Sequence, residues 1–283
     1  MKKLQKLIPF VALALLLASC AKATDETAST TSPSCAPADL KTVESGILTI
    51  GTGEPSYYPW MIDDKPESGE GFEAAVAYAV AQQLGYENSA VKWVRTTFDS
   101  AITPGPKTFD FNLQQFSITT DRAKVVDFSS PYYKSPQVIV SFAGSKIAKA
   151  TTIAEIVAAK AKLGAAVSTT SLDVIETVLG MKAQVFNDNA AGVSALKNKQ
   201  IDGFVVDLPT GFYLAGVEIP NGLIVGQIEG SDAADQGFGL LLAKDSPLTS
   251  CVSGAVDAIR GDGSLQLITD QWLTQAGAPV LKK

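Results

Sequence analysis

Short apolar runs alternate along this chain with longer stretches whose apolar positions recur every three or four residues. Ile47-Leu48-Thr49-Ile50, stopped by Gly51, predicts a strand. Phe72, Val76, Val80 and Leu84 then fall at helical spacing, with Gly85 placed to close the helix. Val91–Val94, Phe109–Leu113 and Val125–Phe128 predict further strands. A second series follows at Val138–Phe142, Leu163–Val167, Gln184–Phe186, Ile201–Val206 and Leu223–Val225, with helices fitting between. Thr152 with Glu155 makes a capping box ahead of Ile156, and Ser246-Pro247 offers an N-cap with proline at the first helical position. Alternating strands and helices are the mark of parallel α/β sheets. Two series of about 90 residues predict two lobes, then a returning strand at Gly237–Leu242 and two terminal helices.

The N-terminal residues follow another logic. Lys2, Lys3 and Lys6 precede Leu7–Ala18, an apolar run of 12 residues broken by Pro9. A membrane-spanning helix needs about 20 apolar residues, so this run reads as the core of a signal peptide. It ends in Leu17-Ala18-Ser19-Cys20, which resembles the bacterial lipobox, where cleavage precedes a cysteine that carries a diacylglyceryl group. An ordinary secretory signal with an incidental cysteine is the alternative. Ala21–Pro37, rich in Ser, Thr and Ala, has almost nothing to bury and is expected to be a flexible tether. The expected division is therefore residues 1–19 as lipoprotein signal, 20–44 as lipidated cysteine and tether, 45–135 with 235–283 as one lobe, and 136–234 as the other.

Composition narrows the function. The chain has 283 residues, 46% hydrophobic and 18% charged, which suits a globular protein with a real core. Its 23 Lys+Arg and 29 Asp+Glu give a formal charge of −6; signal removal takes away three lysines and no acid, leaving −9. Such a protein is not drawn electrostatically to nucleic acid or anionic lipid, so an acyl chain rather than charge would hold it at the membrane. The chain has no histidine, which removes Ser-His-Asp and Cys-His catalysis and His-based zinc sites. With Cys20 lipidated, Cys35 and Cys251 remain as an even pair in an oxidising compartment and predict a disulfide, two buried thiols being the alternative.

Several motifs lead nowhere. Gly51-Thr52-Gly53 follows a strand, but Pro55 and Ser56 stand where a dinucleotide fingerprint needs a helix opening. Ser194-Ala195-Leu196-Lys197 has the S-x-x-K spacing without its companion elements and reads as a helix surface. Asp63-Asp64 and Glu67–Glu70 flank Pro66 and Gly69 and read as a solvated turn, so no metal or cofactor is expected. In open α/β sheets ligands bind beyond the carboxyl ends of strands. Ser117–Arg122, Ser168–Ser171 and Asp207-Leu208-Pro209 occupy such places and offer hydroxyls, backbone N–H groups, a guanidinium and a carboxylate.

An ordered set of segments adds a resemblance: Gly51–Trp60, Gly71-Phe72-Glu73, Phe98–Ile102, Phe109-Asp110, Ser117–Arg122, Asp127–Tyr133 and Ile201-Asp202-Gly203. From about residue 45 onward the chain resembles the polar-amino-acid-binding family of ABC-transporter solute-binding proteins. The resemblance implies a two-lobed, type II periplasmic-binding-protein-like α/β fold. It would close on an amino acid as a monomer and deliver it to a membrane permease without chemistry, at the cell surface or in the periplasm. The resemblance also implies roles. Arg122 would hold the ligand α-carboxylate, with Ser117 and Thr170 adding donors. Asp207 would take the α-ammonium, joined by the carbonyl of Gln115. Tyr57 and Phe98 would sandwich the side chain, Trp60 could stand beside them, and Glu54 could meet a basic side chain. Hinges are expected near Tyr133–Pro136 and Gly230–Gln236. Two rival readings remain on the same fold: a sensor that hands its closed state to a signalling receptor, and an amino-acid dehydratase or lyase.

Overall fold

A computed structural model describes residues 34–231, 236–273 and 277–283. The expected signal peptide and Cys20 lie outside the described residues, as do most of the expected tether and residues 232–235 of the second expected hinge. The remainder is built on two mixed sheets.

The central strands of the second sheet are buried on both faces, as continuous apolar runs require. In β5 (Gln137–Phe142) and β8 (Gly203–Asp207), Val138, Val140, Phe204 and Val206 point into one core. Ile139 and Val205, between them, point into the other. A helix thus covers each face. The sheet also contains β6 (Leu163–Ala166), β7 (Gln184–Phe186), β9 (Gly222–Ile228) and β11 (Val280–Leu281), in the order β11-β9-β5-β8-β6-β7. The β6 strand runs parallel to β7 and β8, whereas β5 runs antiparallel to β8 and β9.

The first sheet has the order β2-β1-β3-β10-β4, from β1 (Leu48–Thr52), β2 (Val91–Arg95), β3 (Phe111–Asn112), β4 (Val126–Phe128) and β10 (Leu241–Ala243). Helix α1 (Phe72–Gln83) is buried on most of its surface, between this sheet and the terminal helices α7 (Thr249–Gly261) and α8 (Ser264–Trp272). Gly71 begins it at φ 105°, and a Cβ there would fall 2.5 Å from the Trp60 carbonyl oxygen, so no other residue fits without displacing the chain.

Between the sheets the chain passes at residues 129–136 and again between β9 and β10. The returning strand is shorter than expected because Phe238 makes only isolated bridges to Ser117 and Tyr133 before β10 begins. The expected capping box is present: Thr152 Oγ1 accepts from the Glu155 N–H and Glu155 accepts from the Thr152 N–H, ahead of α3 (Ile153–Ala158).

Two expectations are corrected. Ser246-Pro247 does not open α7, which starts at Thr249; Ser246 instead accepts from the N–H of Leu248 on its hydroxyl and of Thr249 on its carbonyl. Those residues are used in a turn, where proline is equally at home. Nor does the C-terminus stay with the first lobe. Val280–Leu281 pairs parallel with β9, Gln227 N donates to Pro279 O, and Leu281, 1% exposed, enters the core of the second sheet. Gly226 permits this, since a Cβ there would lie 2.8 Å from Leu281 Cγ. The chain thus returns to the second sheet after α8.

A disulfide joins Cys35 to Cys251 on α7, with Cα atoms 5.5 Å apart, and ties the start of the described chain to the first lobe. Among the described residues no helix is long and apolar enough to cross a membrane.

Candidate functional site

Loops at the carboxyl ends of β1, β2, β3, β6, β7 and β8 converge on one cleft between the sheets. It has a compartment of about 210 Å³ and, beside it, a small pocket of about 50 Å³. Phe98, Gln114, Gln115, Thr169 and Asn189 line both. Of the residues expected from sequence, Glu54 and Tyr57 line the large compartment, Thr170 and Asp207 the small pocket, and Phe98 and Gln115 both.

Phe98 starts the short helix α2 (Phe98–Ile102), whose N-cap Thr97 accepts from the Ser100 N–H. Its ring stacks on Phe116 at 4.8 Å between centroids. The Arg122 guanidinium carbon lies 5.3 Å from the same Phe98 ring, so the aromatic face supports a cation. Arg122 donates through Nη1 to the Ser117 carbonyl and through Nη2 to the Ser168 carbonyl, each at 2.8 Å. These bonds join a loop of the first lobe to one of the second. Ser168 adopts φ 61°, a left-handed conformation costly for a residue with a Cβ. It is held there by Arg122 on its carbonyl and by its own Oγ donating to Asp99 Oδ1 at 2.7 Å. Ser117 Oγ lies 3.4 Å from Thr170 Oγ1 across the same gap.

Gln115 is also left-handed, at φ 53°. Glu73 accounts for this: its Oε1 accepts the Gln115 backbone N–H at 2.8 Å and its Oε2 accepts the side-chain amide at 2.5 Å. The Tyr132 hydroxyl donates to Oε1 as well. Glu73 is 1% exposed on the buried side of α1, and burial pushes its carboxyl up to about 7 against the pull of these three donors. The folded protein therefore binds this proton more tightly than the unfolded chain does. Its contribution to stability is present below the ordinary carboxylate range and is lost as pH rises toward 7. A Glu73→Gln variant should show a flatter dependence of melting temperature on pH between about 4.5 and 7, and weaker ligand binding, because the amide keeps one of the two acceptor oxygens that pin Gln115. Retention of the wild-type pH slope would show that Glu73 does not carry it.

Asp207 ends β8 and precedes α6 (Leu208–Tyr213). It stands at the N-cap position, but its side chain makes no capping bond. Its Oδ1 instead accepts from Gln137 Nε2 at 2.5 Å, and Gln137 Oε1 accepts from Ser171 Oγ at 2.5 Å. Gln137 is 2% exposed, so a buried amide aims the carboxylate at the pocket rather than at the helix.

Trp60 is not a wall of the cleft. It is 2% exposed, packed edge-on against Phe72, Tyr133 and Phe238, and its Nε1 donates to Thr210 Oγ1 at 2.8 Å across the lobes. A buried indole needs an acceptor for its N–H, and here the second lobe supplies it. Arg122 and Ser117 likewise stand behind the lining rather than in it.

Sequence reasoning missed Glu73, Gln137 and Asp188. The first two act beneath the surface and carry no local signal beyond polarity in an apolar segment. Asp188 was findable: Asn187-Asp188-Asn189 follows β7 as the other site loops follow their strands. Asp188 caps α5 (Asn189–Lys197) by accepting from the Ala191 N–H at 2.7 Å, and lines the large compartment. Burial, then the charges of Asp188 and Glu218, push the Tyr57 hydroxyl up to about 12, so it stays protonated as a donor.

Known proteins share this architecture. The chain matches the family "Bacterial extracellular solute-binding proteins, family 3" over residues 48–275. The L-cystine-binding protein TcyJ of Escherichia coli is 28% identical across 86% of this chain and 87% of that protein. An L-arginine-binding protein of Pseudomonas aeruginosa is 24% identical across 78% of this chain and 86% of that protein. Among solved structures, an ancestral amino acid-binding protein, a precursor of cyclohexadienyl dehydratase, aligns at TM-score 0.65 with 26% identity, covering 81% of this chain and 96% of that one. A Salmonella typhimurium periplasmic binding protein of high arginine specificity aligns at TM-score 0.67 with 24% identity, covering 81% and 99%, and shares the fold. With two sheets facing one polar cleft and a match over most of its length, the chain belongs to the bacterial extracellular solute-binding proteins of family 3.

Proposed function

We propose that the protein captures a polar amino acid between its lobes and presents the closed form to the permease of an ABC importer. The observation that carries this reading is the small pocket. There Asp207 and Thr170 of the second lobe line the same pocket as Phe98 and Gln115 of the first, and the Arg122 guanidinium packs 5.3 Å from the Phe98 ring. A carboxylate in the lining of this small pocket and a guanidinium behind its Phe98 wall would complement the ammonium and carboxylate of a zwitterion once the ligand draws the guanidinium in. Charge-assisted bonds of this kind contribute roughly 1.5–3 kcal/mol each. Ligand contacts to both lobes favour closure, because they are complete only when the lobes approach. The Trp60–Thr210, Arg122–Ser168 and Ser168–Asp99 bonds would reinforce the closed form. Relatives named for binding cystine and arginine support the ligand class.

The lobes of this reading are residues 45–135 with α7 and α8, and residues 136–234 with the C-terminal strand β11. Cleavage before Cys20 and its lipidation would tether the protein to the membrane on the extracytoplasmic side. In this reading the carboxylates that line the cleft, Glu54, Asp188 and Asp207, hold charge on the ligand rather than move its protons. Glu73, pushed up to about 7, is a candidate acid–base group, but its oxygens face Gln115 and Tyr132 and it does not line the cleft.

A thermal-shift screen of the common amino acids, with cystine, tests the proposal. Free ligand at about 100 times its Kd adds about 2.7 kcal/mol, a clear rise in melting temperature. One amino acid or a small related group should stand out; no rise with any of them would overturn solute capture.

A further inference from the structure

The large compartment carries charge of one sign. Glu54, from the loop after β1, and Asp188, from the loop after β7, both line it, and among the described residues no lysine or arginine does. One carboxylate thus comes from each lobe. Asp188 spends Oδ1 on the α5 cap, which leaves a carboxylate, with its several acceptor positions, able to take a further donor. Glu54 makes no ion pair among the described residues. Arg95 stands behind the Gly53–Ser56 loop but is already neutralised: Nη1 pairs with Asp64 Oδ1 at 2.6 Å and also donates to the Gly53 carbonyl, while Nη2 donates to the Asp64 carbonyl. The same compartment is lined by Tyr57 and Phe98 and by the amides of Gln114 and Asn187.

We propose that this compartment receives a cationic side chain, making the ligand a basic amino acid of the arginine or lysine type. The inference rests on the solute-capture reading and specifies its substrate. A cation leaving water needs counter-charge, and here each lobe provides one carboxylate. Two aromatic faces add cation–π attraction, which suits a planar guanidinium. The side chain of glutamate would bring a like charge to the two acids. The distal half of cystine carries an ammonium and a carboxylate together, so it brings no net positive charge, and its carboxylate would meet no lysine or arginine among the described lining residues. Because Glu54 and Asp188 lie on different lobes, a bound cation would also draw the lobes together.

Titration calorimetry on the intact chain decides the matter with L-arginine and L-citrulline, whose neutral urea group nearly reproduces the shape of guanidinium. L-lysine, L-glutamine, L-glutamate and L-cystine complete the set. Arginine or lysine should bind about tenfold or more tightly than citrulline, and glutamate and cystine more weakly still. Glu54→Gln and Asp188→Asn should each shrink the arginine-to-citrulline ratio several-fold. Glu54 is exposed, and asparagine caps a helix as well as aspartate does, so both variants should fold. Citrulline, glutamine or cystine binding as tightly as arginine would overturn the cationic class while leaving solute capture standing. So would an arginine advantage that survives the double variant. Silence toward all of these, with another amino acid standing out in the thermal-shift screen, would overturn the cationic class alone; silence toward every amino acid in that screen as well would remove the capture reading, and this inference with it.

Discussion

Calorimetry on an Arg122→Ala variant should show binding weakened at least about tenfold for the amino acid that stabilises the wild type. A single charge-assisted bond to a carboxylate, at roughly 1.5–3 kcal/mol, already sets that lower bound, and a guanidinium fork can make two. Asp207→Asn should weaken binding comparably, by leaving the ligand ammonium without counter-charge. Arg122 also holds the Ser117 and Ser168 carbonyls, so its removal costs some stability as well as affinity. Arg122→Lys separates the two effects, since lysine keeps the charge but loses the planar fork that spans both carbonyls. Affinity should then be intermediate, with the conformation of Ser168 loosened. Unchanged affinity in Arg122→Ala would overturn the assignment of the guanidinium to the ligand.

Replacing both Cys35 and Cys251 with serine should lower stability sharply. The disulfide closes a loop of 216 residues, and the chain-entropy treatment puts closure of so long a loop at about 5 kcal/mol, an upper guide. Denaturant unfolding of the double variant should therefore show a much lower midpoint, as should the reduced wild type. Ligand affinity should change little, because Cys251 lies on α7 against α1, and neither cysteine lines the cleft. An unaltered midpoint would mean that contacts of the N-terminal segment, not the bridge, secure this region.

Much of this molecule is legible in its sequence. Strands buried on both faces need unbroken apolar runs, and β5 and β8 declared themselves in that way. The α1 helix was marked by its spacing and by Gly85, the α3 cap by Thr152 and Glu155, and the disulfide by the pair of cysteines left once Cys20 is set aside as the expected lipid anchor. Strand ends followed by polar residues located Thr170, Asp207 and the Arg122 loop, because the open ends of α/β sheets expose backbone donors to a ligand. Asp188 obeyed the same rule and was passed over. It became visible as a determinant only when the second lobe brought it to the compartment that Glu54 lines.

What local pattern reports is which side of a segment is buried, and not what meets it there. Glu73 sits on the buried side of α1, and only the packing of that helix shows that its partner is Gln115, 42 residues away. Trp60 reads equally well as a pocket wall or as core, until Thr210, 150 residues on, takes its N–H. The C-terminal Val280–Leu281 carries too short a signal to say which sheet it joins, and Gly226 decides by leaving room for Leu281. The sequence by itself determined the elements, the two-lobed α/β class and the chemical types at the strand ends, since these rest on short-range periodicity and backbone preference. The tertiary structure alone decided which carboxylate holds a loop in place and which faces the ligand cleft. That difference depends on burial and on donors brought in from distant parts of the chain.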